Sequence, residues 1–212
     1  MSCWDNIDAV YYINLNHRTD RLVQISAEMD KVYIPFSKRI RIEAEYTPEC
    51  GALGCCLSHI KALQHFLESD GNICIIFEDD FQFTVPPEQV HSMMINIQRF
   101  NGYYDLIMLA GNVIRYQQTN VDTLYKVIEA QTTSGYMITR NFAVKLLSLW
   151  KKTAMLIKQH VHGTGIHNIF LACDRTWKQL QPEANWFVCN PCLGIQRESY
   201  SDIEKEVMNY GC

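Results

Sequence analysis

Apolar residues follow two patterns along the chain: continuous runs of strand length, and longer stretches with helical spacing. The runs at 9–15 and 73–77 are rich in β-branched and aromatic residues, which is typical of buried strands. Residues 22–32 and 53–67 place apolar side chains three or four positions apart, which indicates amphipathic helices. The alternation of the two patterns predicts an α/β fold with a mainly parallel central sheet flanked by helices.

The remainder of the chain continues this alternation. Thr47-Pro48 has the composition of a helix start, with the threonine as capping residue and the proline in the first turn. Pro86-Pro87 breaks the chain before a predicted helix that ends near Phe100. We interpret 160–167, which contains three histidines, as a surface loop or a mobile lid. Further strands are predicted at 105–109, 125–128, 134–139 and 186–189, and further helices at 141–150 and 168–181.

Composition and charge narrow the class of protein. The 212 residues are 48% hydrophobic, which suffices for one domain spanning residues 1–212. The formal net charge of −4 excludes the basic field of a nucleic-acid-binding protein. No apolar stretch reaches the roughly 20 residues that cross a bilayer, and the first residues do not resemble a leader peptide. We therefore expect a cytoplasmic protein without a transmembrane segment.

The nine cysteines are an odd number, which favours free thiols in a reducing compartment. Cys189 and Cys192 form one CxxC pair, but a structural zinc site normally needs a second pair or histidines at ligand spacing. We interpret Cys50, Cys55 and Cys56 as small hydrophobic residues that pack in the interior.

The strongest chemical signal is the triplet Glu78-Asp79-Asp80, which directly follows the buried run at 73–77. Ligands of open α/β sheets bind beyond the carboxyl ends of the strands, so these carboxylates are expected to face a crevice. Adjacent carboxylates repel one another, and a divalent cation with oxygen ligands relieves that repulsion. The triplet therefore predicts a site for a metal ion and a diphosphate, with an acidic turn without ligand as the alternative.

Several segments, in order, resemble glycosyltransferase family 25, which includes lipooligosaccharide and collagen hydroxylysine galactosyltransferases. Together they extend over residues 9 to 203. The matching segments are Tyr12–Leu15 with Arg18, Asp20 and Arg21; Gly51–His59; Ile76–Asp80; Ser134–Arg140; and Asp174 with Gln196, Ser199 and Ser201.

This resemblance implies a GT-A fold, a UDP-sugar donor and a Mn²⁺ or Mg²⁺ cofactor. It also implies transfer of galactose, glucose or N-acetylglucosamine to a hydroxyl of a glycan, a lipid-linked glycan or a protein hydroxylysine. Asp80 and Glu78 are assigned to the metal, and Asp174 to the base of an inverting displacement. Donor contacts are implied for Asn14, Leu15, Arg18, Arg21, Glu78, Asp79, Ser134 and Gly135.

Some assignments have structural alternatives. Arg18 and Arg21 suit bidentate contacts to phosphate, but equally salt bridges to Asp20 or Glu28. Asp174 suits a helix cap as well as a catalytic base.

Two other functions stay open beside sugar transfer. One is a nucleotidyltransferase, which would release pyrophosphate. The other is an inactive sugar-binding or scaffold relative, although such a protein would be free to lose its acid triplet. His59 is either a donor contact or a buried, hydrogen-bonded residue.

Overall fold

The structure, a computed structural model, describes residues 2–99, 103–164, 169–200 and 207–208. The α-helices are α1 (Thr19–Lys31), α2 (Gly51–Glu68), α3 (Pro87–Gln98), α4 (Arg140–Thr164) and α5 (Cys173–Thr176). The strands are β1 (Ala9–Asn14), β2 (Arg39–Glu43), β3 (Ile73–Glu78), β4 (Phe81–Phe83), β5 (Leu106–Met108), β6 (Asn112–Gln118), β7 (Leu124–Gln131), β8 (Gly135–Thr139), β9 (Trp186–Cys189), β10 (Gly194–Gln196), β11 (Ser199–Tyr200) and β12 (Val207–Met208). Short 3₁₀ helices cover Phe36–Lys38, Ile169–Leu171 and Trp177–Leu180.

Eight strands form one sheet in the order β2-β1-β3-β8-β5-β9-β7-β6. The pairs β1/β2, β1/β3 and β5/β9 are parallel, whereas β8 and β7 run antiparallel to their neighbours. Six of the eight strands therefore point the same way, which confirms the prediction of an α/β fold with a mainly parallel sheet. Outside this sheet, β4 pairs with β10, and β11 pairs with β12.

Helices cover both faces of the sheet, because alternate side chains of each strand point to opposite sides. In β3, Cys74 and Ile76 join the hydrophobic cluster that contains the buried residues of α2 and α4. Ile75 and Phe77 of the same strand join the cluster that contains those of α1 and α3. This burial on both faces explains why β3 is a continuous apolar run.

One edge of the sheet gathers the strand ends that carry the candidate site. The carboxyl ends of β1, β2 and β3 meet there, with Ile13 beside Glu78 and Asn14 beside Glu43. The antiparallel strand β8 begins at this edge, where Gly135 is paired with Phe77. Residues just before β8 therefore lie next to residues just after β3.

The start of α2 differs from the prediction, since the helix begins at Gly51 and its N-terminal cap is Cys50. The Thr47 hydroxyl donates to the Cys50 carbonyl at 2.7 Å and caps no helical N–H group. The Glu45 amide donates to the hydroxyl of Ser58 in α2 at 2.8 Å. Residues 45–50 therefore form a turn packed against the first turns of α2.

Two predicted helices also have different bounds. α4 extends to Thr164, because Trp150, Ala154 and Ile157 continue its buried face well beyond residue 150. The interpretation of 160–167 as a loop is therefore wrong for 160–164, while 165–167 lie outside the described residues. The predicted helix 168–181 is instead a series of short helical turns.

Cysteines and membrane-spanning potential were also part of the sequence prediction. The eight cysteines within the described segments are free thiols, and the sulfurs of Cys55 and Cys173 lie 3.7 Å apart. No helix in these segments combines the length and the apolar composition needed to cross a bilayer.

Candidate active site

Asn14, the last residue of β1, connects the strand ends at the site edge. Its Nδ2 donates to Asp79 Oδ2 at 2.7 Å and to the Arg18 carbonyl at 3.0 Å. Its Oδ1 accepts from the Arg41 guanidinium of β2 at 2.9 Å. The side chain is 1% exposed. Asn14 therefore holds Asp79 in place from the interior of the site.

Glu78 is held by partners on two other elements. Its Oε1 accepts from His59 Nε2 of α2 at 3.0 Å and from Thr133 Oγ1 at 2.5 Å. His59 Nδ1 lies 3.0 Å from the hydroxyl of Tyr136 in β8. His59 thus takes the buried, hydrogen-bonded position that was one of its two interpretations.

The charges of His59 and Glu78 favour an ion pair. Burial lowers the pKa of His59, but its contacts with Cys55 and Glu78 outweigh burial and raise it to about 9. Burial alone would raise the pKa of Glu78, but the hydrogen bonds from His59 and Thr133 hold it below its ordinary value. At neutral pH an imidazolium therefore faces a carboxylate.

Arg21 of α1 reaches the other two acids of the triplet. Its Nη1 lies 3.0 Å from Asp79 Oδ1 and 3.4 Å from Asp80 Oδ2. Gln196 of β10 donates to Asp80 Oδ2 at 3.2 Å. Two carboxylates therefore share a single guanidinium, which compensates their charge only in part.

Asp80 is the acid whose charge is least compensated. Asp80 is 6% exposed, and its Oδ1 is buried without a hydrogen-bond partner among the described residues. Burial, reinforced by the Glu78 charge, raises the pKa of Asp80 to about 7 against the opposing charge of Arg21. A buried carboxylate oxygen without a partner is costly, so this oxygen is suited to a cation or a hydrogen-bond donor from a ligand.

The acid triplet lines a pocket that is open to solvent. One wall is the triplet with Asn14, Leu15 and Arg21. Another part of the lining comes from the turn 44–47 and the first turns of α2, including Gly54 and Ser58. Six predicted site residues thus line one pocket: Asn14, Leu15, Arg21, Glu78, Asp79 and Asp80.

The other predicted donor contacts lie in different surroundings. The Arg18 guanidinium pairs with Asp20 at 2.9 Å, which was one of its structural alternatives. Ser134 is fully buried and its hydroxyl lacks a partner among the described residues, while its carbonyl accepts from the Glu78 amide at 2.8 Å. A Cβ at Gly135 would lie 2.6 Å from the Phe81 ring, so glycine permits close packing there.

Asp174 is not among the residues that line the pocket. It is in the first turn of α5, whose N-terminal cap is Ala172, so Asp174 is not the capping residue. Its Oδ2 accepts from the Thr132 amide at 3.3 Å. Burial raises the pKa of Asp174, and the charge of Glu78 acts in the same direction.

A metal ion implied by the family resemblance can be tested against these residues. Asp80 offers a buried, unpartnered oxygen, the kind of donor that Mg²⁺ and Mn²⁺ prefer. Glu78 directs one oxygen to His59 and Thr133 instead. These residues are therefore suited to a divalent cation, and the main ligand among them is the unpartnered oxygen of Asp80.

Several residues that shape the site were not assigned from the sequence. Thr133 directly precedes the predicted Ser134, so proximity along the chain pointed towards it. Arg41 lies between Ile40 and Ile42, and strand alternation turns it away from these apolar neighbours. Tyr136 and Cys173 gave no local signal, because their roles depend on contacts with distant elements.

Comparison with known families identifies the class of protein to which this chain belongs. A family model described as Glycosyltransferase family 25 (LPS biosynthesis protein) matches residues 38–161. The matched part is more than half of the chain and includes α2, β3 and the acid triplet. The protein is thus a GT-A-type transferase, and the chain belongs to glycosyltransferase family 25.

Similarity to solved structures extends over most of the chain at low sequence identity. A glycosyltransferase involved in glycosylation of the major capsid of PBCV-1 has the same fold and is 9% identical, with 93% of this chain and 95% of that chain covered and a TM-score of 0.52. A mannose-1-phosphate geranyltransferase from Thermus thermophilus is 8% identical, with coverages of 93% and 76% and a TM-score of 0.47. The search of curated protein sequences finds no significant match.

Proposed function

We propose that this protein transfers a hexose from a UDP-sugar to an acceptor hydroxyl, with a divalent metal ion and with inversion at the anomeric carbon. Family membership supports sugar transfer. The observation that carries the proposal is the unpartnered Asp80 oxygen beside Arg21, at the wall of the pocket. Galactose, glucose and N-acetylglucosamine are the donor sugars we would test.

The acceptor we propose is a hydroxyl of a glycan or a lipid-linked glycan, with a protein hydroxylysine as the alternative. The family description refers to LPS biosynthesis, which favours a saccharide acceptor. Tyr46, which lines the pocket, is 60% exposed and is therefore accessible to a saccharide from solvent.

In this proposal Asp80 holds the metal ion, with Glu78 as second acid. A bound Mn²⁺ or Mg²⁺ would supply positive charge to the diphosphate leaving group. Arg21 already contributes a guanidinium at the same place, where it can donate to phosphate oxygens in a bidentate manner. Asn14 orients Asp79 for contact with the nucleoside.

The remaining donor contacts are assigned by position. Leu15 follows the end of β1 and offers an apolar surface to the nucleoside. To contact a phosphate of the donor, Arg18 would have to break its salt bridge to Asp20. Ser134 and Gly135 lie at the start of β8, beside the backbone of Glu78, where we place the donor sugar.

Asp174 is proposed as the base that accepts the proton of the attacking acceptor hydroxyl. Burial raises the pKa of its carboxyl group, which makes it a better proton acceptor than an exposed aspartate. The Thr132 amide bonds Oδ2 and orients the carboxylate. Direct attack with one such base gives inversion.

The test measures nucleoside diphosphate release from a panel of UDP-sugars with an oligosaccharide acceptor, with Mn²⁺, Mg²⁺ or chelator. We expect release from one donor that requires metal and falls at least about 100-fold in Asp80→Ala, because charge stabilisation of the leaving group is lost. Asp70→Ala is the matched control, since Asp70 is exposed and precedes β3 at the opposite edge of the sheet.

The variant Asp174→Asn, measured in the same assay, distinguishes a role as catalytic base from a role in donor binding. The amide oxygen can still accept from the Thr132 amide, so we expect donor affinity to stay within about threefold while transfer falls about 100-fold or more. In a parallel assay with UTP and a sugar 1-phosphate in place of the UDP-sugar and acceptor, release of pyrophosphate would indicate a nucleotidyltransferase. Absence of both release and donor binding in calorimetry would refute sugar transfer and favour a scaffold role.

A further inference from the structure

Three side chains with metal-ligating atoms converge beside the acid triplet. Cys55 and His59 lie one turn apart on α2, and Glu78 ends β3. The Sγ, ring nitrogen and carboxylate oxygen lie within 4.8 Å of one another. In the part of the chain that the structure describes, this is the one group of three or more such residues that converges.

A fourth donor lies next to Cys55, outside the three atoms that converge mutually. The Cys173 sulfur lies 3.7 Å from the Cys55 sulfur. Two thiolates on one tetrahedral zinc ion, each about 2.3 Å from the metal, are separated by about 3.8 Å. The two sulfurs therefore already have the spacing that a shared zinc ion requires.

Outer contacts hold two of these ligands in a coordinating orientation. His59 directs Nδ1 to the Tyr136 hydroxyl at 3.0 Å, which turns Nε2 towards Glu78. Thr133 donates to Glu78 Oε1 at 2.5 Å. Zinc-bound histidines and carboxylates usually have such supporting hydrogen bonds, which fix the ring and the carboxylate.

The group is also accessible to an ion. Cys55, His59 and Glu78 all line the pocket, and Cys55 is partly exposed. Cys173 is 3% exposed and closes the group from behind. An ion entering from the pocket would meet the thiol, imidazole and carboxylate before it met the second thiol.

We propose that Cys55, His59, Glu78 and Cys173 form a zinc site beside the cation position at Asp80, and that Glu78 lies between the two positions. Thiol and imidazole donors select Zn²⁺, whereas the oxygen of Asp80 suits Mg²⁺ or Mn²⁺. Binding releases the thiol protons and the Nε2 proton of His59 to solvent, and it replaces the imidazolium–carboxylate pair by two metal bonds. The proposal does not depend on sugar transfer, although a zinc ion here would fix Glu78 at the donor pocket.

Cobalt substitution tests the site in the full chain. The metal-free protein, kept reduced with a phosphine, is titrated with Co²⁺ and read by absorption. We expect one equivalent to give a thiolate-to-cobalt charge-transfer band and strong visible bands of tetrahedral cobalt, both removed by equimolar Zn²⁺. Cys55→Ser should abolish the charge-transfer band or reduce it by at least half, and should weaken zinc binding at least tenfold.

Two control variants test whether the cobalt bands come from the proposed ligands. Cys192→Ser should leave them unchanged, since Cys192 belongs to the alternative pair with Cys189. Asp80→Ala should leave them unchanged as well, because Asp80 is not one of the proposed zinc ligands. Cys173→Ser should remove about half of the charge-transfer intensity, and no change there would contradict the placement of Cys173.

A wild-type measurement guards against variants that do not fold. X-ray absorption of the zinc complex should show sulfur at about 2.3 Å. A first shell of nitrogen and oxygen alone, or a cobalt band lost in Cys192→Ser and kept in Cys55→Ser, would overturn the proposal. Neither result would bear on nucleoside diphosphate release from UDP-sugars, so the two proposals can fail separately.

Discussion

Asn14 joins groups from three parts of the chain: Asp79 after β3, Arg41 in β2 and the backbone before α1. An amide is suited to this place because it both donates and accepts. An aspartate of the same shape could not donate to Asp79, and a hydrophobic residue could satisfy none of the three partners.

Replacing Asn14 by alanine tests how much this connection contributes. Asn14→Ala leaves Asp79 Oδ2, the Arg18 carbonyl and Arg41 without their shared partner. We expect the free energy of unfolding to fall by about 2–3 kcal/mol, because buried polar groups without partners are costly. Urea unfolding followed by circular dichroism measures this change.

Asn16→Ala is the matched control for Asn14→Ala. Asn16 follows the same strand and also accepts from Arg41, but its residue is exposed. We expect a change within about 0.5 kcal/mol, as for most surface substitutions. An equal loss in both variants would show that burial of Asn14 is not the source of its effect.

The sequence predicted which residues gather at the site better than it predicted their individual partners. A buried strand followed by three acids places those acids at a sheet edge, and the structure brings them together with Asn14 and Arg21. The sequence could not show that Glu78 pairs with His59 while Asp80 keeps an unpartnered oxygen. Those differences arise from helix α2 and strand β10, which are distant in sequence.

Gly54 determines how the second helix meets the turn 45–50. A Cβ at this position would lie 2.5 Å from the Glu45 carbonyl oxygen and 2.6 Å from the Thr47 hydroxyl. The Glu45 oxygen belongs to the backbone, so it cannot move away as a flexible side chain could. The close approach builds one wall of the pocket.

Two substitutions, Gly54→Ala and Gly163→Ala, test this close contact between α2 and the turn 45–50. Alanine favours helix over glycine at both positions, so propensity alone would stabilise both variants. We expect Gly54→Ala to lower the free energy of unfolding by about 1–3 kcal/mol because the wall must shift.

Gly163→Ala is the control, since a Cβ there meets nothing within 4 Å. It should be neutral or stabilise the protein by up to about 1 kcal/mol. Thermal unfolding of both variants gives the comparison. Stabilisation by Gly54→Ala would show that the turn does not pack on α2 in this way.

At the scale of elements, buried periodic segments were predictable and exposed or short ones were not. β1, β3 and α1 lie close to their predicted bounds because burial imposes a clear pattern on their sequences. β6 escaped prediction because most of its residues are exposed and polar. β4 and β10 are three residues long, too short for any periodicity to appear.

At the scale of the whole molecule, the described residues form two hydrophobic clusters that share one sheet. Tyr11 and Ile13 of β1 belong to the cluster on the α2 and α4 face, and Val10 belongs to the cluster on the α1 and α3 face. Since the same strands supply both clusters, exposing one face removes the support of the other. The sharing favours a single folding unit, and one domain over residues 1–212 stays a prediction.

We therefore predict that the two hydrophobic clusters unfold together. Trp150, Trp177 and Trp186 lie in one cluster and Trp4 lies in the other, all nearly fully buried. Labelling with 5-fluorotryptophan gives each its own fluorine resonance, and Trp4→Phe assigns the signal of Trp4. We expect all four native signals to disappear at the same urea concentration, together with the far-ultraviolet circular dichroism. Chains of this length often populate intermediates, so size alone does not dictate this result. If Trp4 lost its native signal at lower urea while the other three kept theirs, the α1 and α3 face would unfold separately, and the shared strands would not couple the two clusters.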